Sequence, residues 1–145
     1  EVAAYCKKHG KTLWDMMLET YEKYGYFKET QYTITLKGID GSKQIAAIMD
    51  KFRTNPPKMI GDAKVLKFRD YQEDRIVDME TGAETTTGLP KSNVLYFELP
   101  NNCWCCARPS GTEPKIKFYM GVVGESLEDA QAKVEKLTED LKALI

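Results

Sequence analysis

VLYFELPNNCWCCARPSGTEPKIKFYMGVV, residues 94–123, is the stretch whose reading decides the fold. Three runs rich in apolar, aromatic and β-branched side chains, at 94–99, 103–107 and 116–123, alternate with turn residues and read as strands. Asn101 and Asn102 suit a hairpin turn between the first two, because Asn tolerates left-handed backbone. The second connection is tighter and bracketed by Pro109 and Pro114. A helix follows: Ser126 with Asp129 three residues on has the form of a capping box. Its core stripe is Leu127, Ala130, Val134, Leu137, Leu141 and Leu144.

Working toward the N-terminus, the segment 70–91 is polar and rich in Thr and Gly, a long connection with room for a short strand near Ile76 and Val77. A strand at 63–71 carries Val65, Leu66 and Phe68. Before it, Ser42 can cap a helix to about Arg53 whose Ile45, Ile48, Met49 and Phe52 share one face; Pro56 and Pro57 stop it. A strand at 26–37 alternates Tyr32, Ile34 and Leu36 with Thr33 and Thr35. The order is β-α-β-β-β-β-α, which predicts an α+β domain: an antiparallel sheet of four to five strands covered by helices.

Two helices precede this order. One covers 2–8 and stops at Gly10; the other opens at Thr12, with Asp15 as its capping-box partner, and ends at Gly25. Such a pair either packs on this domain or forms the tail of a preceding one. The Gly25 cap favours a boundary, giving tail helices at 1–25 and a domain at 26–145. The absence of an initiator Met leads us to expect a fragment of a longer chain.

Composition narrows the function. The chain has 145 residues, 42% hydrophobic and 30% charged, with a net charge of −1. No basic stretch is concentrated enough to follow a nucleic-acid backbone, and the strands lack the aromatic pair of small RNA-binding modules. No apolar run approaches the ~20 residues that span a bilayer. Cys103, Cys105 and Cys106 fit neither a C-x-x-C redox pair nor zinc knuckles, and His9 is the one possible nitrogen ligand. Small buried thiols in a reduced cytosol fit better, with Cys103 and Cys105 on one strand face and Cys106 on the other.

The chemistry concentrates at RPSGTEPKIK, residues 108–117. A guanidinium, two hydroxyls, a glycine and two ammonium groups occupy ten residues. A phosphate dianion is served by such donors: Arg as a planar fork, Ser and Thr through hydroxyls, Gly by letting amides turn inward, Lys by point charge. A hairpin of surface polar residues is the plain alternative. No phosphate-loop lysine motif, dinucleotide fingerprint or nucleophile elbow occurs.

Arg108-Pro109-Ser110-Gly111-Thr112-Glu113-Pro114, followed by Lys115-Ile116-Lys117-Phe118-Tyr119, resembles the C-terminal phosphate-binding loop of the α-D-phosphohexomutases, the family of phosphoglucomutase and phosphomannomutase. Thr87-Gly88-Leu89-Pro90-Lys91-Ser92-Asn93 and Tyr21-Glu22-Lys23-Tyr24-Gly25-Tyr26 resemble its bacterial phosphoglucomutase branch. The resemblance implies a TATA-box-binding-protein-like fourth domain preceded by the last helices of the third. It implies that Arg108, Ser110, Gly111 and Thr112 bind the substrate phosphate, with Lys117 where the family often has Arg. A carboxylate beside a dianion repels it, so Glu113 is expected to point away, pairing with Lys115 or an amide. No catalytic residue and no metal ligand is expected within these residues; the phosphoserine, the magnesium loop and the sugar-discriminating loop belong to the missing N-terminal domains. The implied parent is a cytoplasmic, magnesium-dependent isomerase. It interconverts glucose 1-phosphate and glucose 6-phosphate through glucose 1,6-bisphosphate, and the fragment is inactive alone. A phosphomannomutase, another phosphosugar mutase, or a non-catalytic anion-binding module would carry the same loop; nucleic acid and membrane are not expected partners.

Overall fold

The three runs at 94–123 become consecutive antiparallel strands: β7 (Leu95–Glu98), β8 (Trp104–Pro109) and β9 (Lys115–Gly124). The computed structural model describes all residues, 1–145. Ahead of these strands come α1 (Val2–Lys8), α2 (Leu13–Tyr24), β1 (Tyr26–Thr35), α3 (Gly38–Thr54), β2 (Met59–Ile60) and β3 (Ala63–Lys64). Then follow β4 (Lys67–Asp70), β5 (Arg75–Asp78) and β6 (Glu84–Thr85); α4 (Leu127–Lys142) closes the chain. Asn101 and Asn102 both take φ 58°, the double left-handed turn expected between β7 and β8.

The main sheet has seven antiparallel strands in the order β1-β9-β8-β7-β4-β5-β6, and β2 and β3 form a separate hairpin. The architecture is the expected α+β, but the strand count exceeds the four to five read from the sequence. β5 and β6 account for it, and a second difference adds β3 outside this sheet. The run at 63–71 is broken at Val65 and Leu66, where the backbone changes partners: the Val65 N–H donates to the Lys58 carbonyl and the Leu66 N–H to that of Glu98. The long polar connection carries β5, the short strand expected near Ile76 and Val77, and also β6, which was not expected. Its acidic residues organise that hairpin instead of solvating a loop. Asp78 Oδ1 accepts from the Glu80 and Thr81 amides, and Asp74 Oδ1 from the Thr87 hydroxyl and the Thr87 and Gly88 amides. These bonds hold both carboxyls below the usual carboxylate range.

α3 and α4 cover one face. Ile45, Met49 and Phe52 of α3, and Val134, Leu137 and Leu141 of α4, bury against Phe97, Cys105, Ile116, Phe118 and Met120. Phe52 meets Phe97 and Phe118 edge-on, with ring centroids 6.0 and 6.4 Å away. Ser126 caps α4 by accepting from the Asp129 amide, but only this half of the expected capping box forms, since the Asp129 carboxylate accepts from the Glu125 N–H instead. α3 starts earlier than the sequence suggests. Lys37 is its N-cap and Ser42 lies inside it, because Gly38 at φ 67° turns the chain out of β1. Gly41 then lies so close to Leu36 that a Cβ there would sit 2.8 Å from the Leu36 Cβ. Thr12 and Asp15 form the expected capping box of α2, and Cys6 of α1 lies 3.5 Å from Met16 Sδ. α2 buries no residue, and Tyr5, Leu13, Trp14, Met17 and Tyr24 stay exposed.

All four cysteines are free. Cys105 is buried in the core, Cys103 packs at its margin, and Cys106 stands opposite Tyr96 and Tyr119 on the other sheet face. Burial pushes the Cys105 thiol up strongly and the Cys106 thiol up to about 11. Only thiolates alkylate readily, so iodoacetamide at about pH 8 is expected to modify Cys106 at least ~10-fold more slowly than cysteine in an unfolded peptide. Peptide mass spectrometry reads the two rates; equal rates would contradict this packing.

Candidate functional site

Strand alternation builds the site. On β9, Ile116, Phe118 and Met120 are fully buried, so Lys115, Lys117 and Tyr119 project from the opposite, helix-free face. On β8, Arg108 lies directly opposite Lys117 in the ladder. Residues 110–114 connect the two strands above this pair. The connection is buttressed from below: the Leu36 N–H donates to the Pro114 carbonyl at 2.9 Å. A Cβ on Gly41 of α3 would come within 3.4 Å of Pro114 Cβ.

Arg108, Ser110, Gly111 and Lys117 border one cavity of about 350 Å³. Lys115, Tyr119, Pro109 and Glu113 complete its wall. Arg108 and Lys117 have no salt-bridge or side-chain hydrogen-bond partner in the chain; the loop's one ion pair joins Glu113 and Lys115 at 2.6 Å. Two like charges directly opposite across a ladder repel one another. An anion between them would relieve that.

Other expectations fare differently. Thr112 does not reach this cavity. It faces a smaller one of about 240 Å³, with Ser42, Ile45 and Pro114. The amides expected to turn toward an anion are engaged within the loop: Ser110 Oγ accepts from Thr112 N–H at 3.4 Å and Glu113 N–H at 3.3 Å. The Ser110 N–H donates to the Lys115 carbonyl at 2.7 Å, whereas that of Gly111 has no partner. Gly111 is not among the positive-φ residues, and a Cβ there would meet nothing within 4 Å, so neither backbone conformation nor close packing demands glycine. Glu113 does pair with Lys115 but borders the cavity instead of pointing away. That bond holds its carboxyl below the usual range. Lys115 and Tyr119 were not named as site residues from the sequence, although Lys115 is one of the two ammonium groups counted at 108–117 and strand alternation puts Tyr119 on the side of Lys117.

No three His, Cys, Asp or Glu side chains are grouped to hold a metal ion, and no helix is long and apolar enough to cross a membrane.

No family model matches the chain. Curated phosphoglucomutases of Staphylococcus aureus do: that of strain bovine RF122 / ET3-1 is 36% identical over 135 residues, 93% of this chain. Those of strains USA300 and N315 are 36% and 34% identical over the same span. The chain spans about a quarter, 24%, of the length of these relatives. Among solved structures, the open form of Paramecium parafusin, a phosphoglucomutase, superimposes with a TM-score of 0.50 at 13% identity. The match covers 92% of this chain and 23% of that one, and at this identity it speaks for the fold alone. Fold and loop thus define a C-terminal domain of the phosphohexomutase kind. The curated relatives that the chain matches over nearly its whole length are phosphoglucomutases, which agrees with a C-terminal domain of the α-D-phosphohexomutase superfamily.

Proposed function

We propose that this chain is the substrate-phosphate-binding C-terminal domain of a cytoplasmic phosphoglucomutase that interconverts glucose 1-phosphate and glucose 6-phosphate. The observation that carries the reading is the facing pair of Arg108 and Lys117, unpaired by any carboxylate, beside a cavity. The guanidinium offers a two-pronged grip on phosphate oxygens and Lys117 adds charge. Ser110 can add its hydroxyl and Gly111 its free amide. Thr112 belongs to the same grip only if the loop turns it toward the cavity on binding.

The domain's task is to hold the phosphate that is not reacting, while a phosphoserine elsewhere in the parent donates its phosphoryl group and glucose 1,6-bisphosphate is the intermediate. A grip that reads phosphate and not sugar suits a substrate that must bind in two orientations. In the parent, magnesium would supply charge neutralisation to the transferring phosphoryl group; no three His, Cys, Asp or Glu side chains here are grouped to hold it, and we assign its ligands to the preceding domains. Residues 1–25 are assigned to the tail of the third domain and 26–145 to the fourth. The exposed side chains of Leu13, Trp14 and Met17 support that division. The Gly25 junction, at φ 104°, is the place for the domain to swing and exclude water.

Titration of the chain with inorganic phosphate or glucose 6-phosphate, followed by amide chemical shifts, tests the reading. A Kd on the order of millimolar is expected, about −4 kcal/mol, with shifts centred on residues 108–119. Mutase turnover should be absent. Shifts elsewhere, or none, overturn the site; turnover in clean material overturns the assignment to a fragment without catalytic residues.

A further inference from the structure

The cavity holds three cations and one carboxylate, and their pairing is selective. Arg108 and Lys117 are left without an acid, whereas Lys115 is taken by Glu113 at 2.6 Å. Lys115 and Lys117 share a strand face two residues apart, so both ammonium groups can reach the same anion. The Lys115 side chain is 29% exposed and that of Glu113 59%: the acid sits at the rim, the amine deeper. We propose that Glu113 is a built-in competitor for the phosphate site, a carboxylate that occupies the third cation until a phosphate monoester takes Lys115 from it.

This inference rests on the phosphate-site reading and adds a residue that sets its strength. A dianion attracts an ammonium more strongly than a monoanionic carboxylate does, so the exchange runs toward phosphate. The displaced carboxylate, already at the rim, returns to water at little cost. The site therefore grips more weakly than three free cations would. A domain that must let one end of a sugar bisphosphate go and take the other gains from that weakness. Glu113 regulates affinity through Lys115, not through the shape of the loop.

Titration with methyl phosphate at about pH 8 and fixed ionic strength tests this, with thermal unfolding run on every variant. Glu113→Gln is expected to bind about five- to tenfold tighter, the size of effect for one charge removed beside a dianion in a solvated cavity. Lys115→Met should bind more weakly, and in that background Glu113→Gln should gain no more than about twofold. Unchanged or weaker binding by Glu113→Gln overturns the proposal. So does a gain that persists undiminished without Lys115, since the acid would then act by repulsion alone. If the unaltered chain takes up no methyl phosphate, the phosphate-site reading itself fails; binding that ignores Glu113 sinks only the competitor role.

Discussion

Arg108→Ala, introduced into the full-length mutase proposed above, is expected to lower kcat/KM for glucose 1-phosphate by roughly 30- to 150-fold while leaving the melting temperature within about 2 °C. The first figure follows from losing a charge-assisted, two-pronged contact worth about 2–3 kcal/mol, at a factor of ten for every 1.4 kcal/mol. The second follows from the free chain. Arg108 is exposed, makes no internal salt bridge or side-chain hydrogen bond, and faces Lys117 across the ladder. Removing it takes away a repulsion and no packing, so stability should hold or rise slightly. Loss of activity together with retained stability is the mark of a residue kept for its ligand. Arg108→Lys should fall between the two, because it keeps the charge and loses the fork. Steady-state kinetics beside thermal unfolding decide the matter. Activity within about a factor of two of the parent would remove Arg108 from the site.

The loop was readable because its chemistry is concentrated in consecutive residues, and its flanking strands because burial alternates. Leu95 and Phe97, Cys105 and Ala107, Ile116 and Phe118 are buried pairs at a spacing of two. The α4 stripe was readable for the matching reason at helical spacing, with Ala130, Val134, Leu137 and Leu141 all buried. Ile76 and Val77 gave β5 a faint signal, whereas β6 carries none. Both strands are short, lie at a sheet edge and are held by ladder bonds and by the Asp74 and Asp78 carboxylates, so composition presents them as a polar loop. The start of α3 was hidden too, since it depends on how closely Gly41 approaches Leu36 and Pro114, the latter far away in the sequence. At the candidate site, residue types suggested an anion, but backbone direction did not follow from them. Ser110 could equally have offered its hydroxyl to a ligand or to its own loop, and it caps the Thr112 and Glu113 amides. Period-2 alternation already put Tyr119 beside Lys117, but it does not say that Lys115 and Tyr119 border the same cavity.

The largest stability loss is expected at Asp70, the one charged side chain with no exposure to water. Asp70 Oδ2 accepts from Arg53 Nε at 3.0 Å, and Oδ1 from the Gln72 amide at 3.0 Å and, more weakly, the Glu73 amide at 3.4 Å. Arg53 extends the cluster, donating to Asn93 Oδ1 at 2.7 Å, so the end of α3, the β4–β5 turn and the approach to β7 share one clasp. Asp70→Ala would leave a guanidinium that is 14% exposed and two amides without their acceptor. Breaking a buried pair from one side costs about 3–5 kcal/mol, a large part of the 5–15 kcal/mol that typically holds a domain folded. At roughly 2–4 °C per kcal/mol for a domain of this size, the melting temperature should fall by about 6–20 °C. Asp70→Asn, which keeps an acceptor and the shape, should cost less. Replacing both partners, Asp70→Leu with Arg53→Met, should recover much of the loss. It should not recover all of it, because the Gln72 and Glu73 amides would still lack an acceptor. Urea unfolding of the four chains measures these differences. A cost below about 1 kcal/mol for Asp70→Ala would mean that water reaches the clasp and that the ion pair is not what fixes α3 to the sheet.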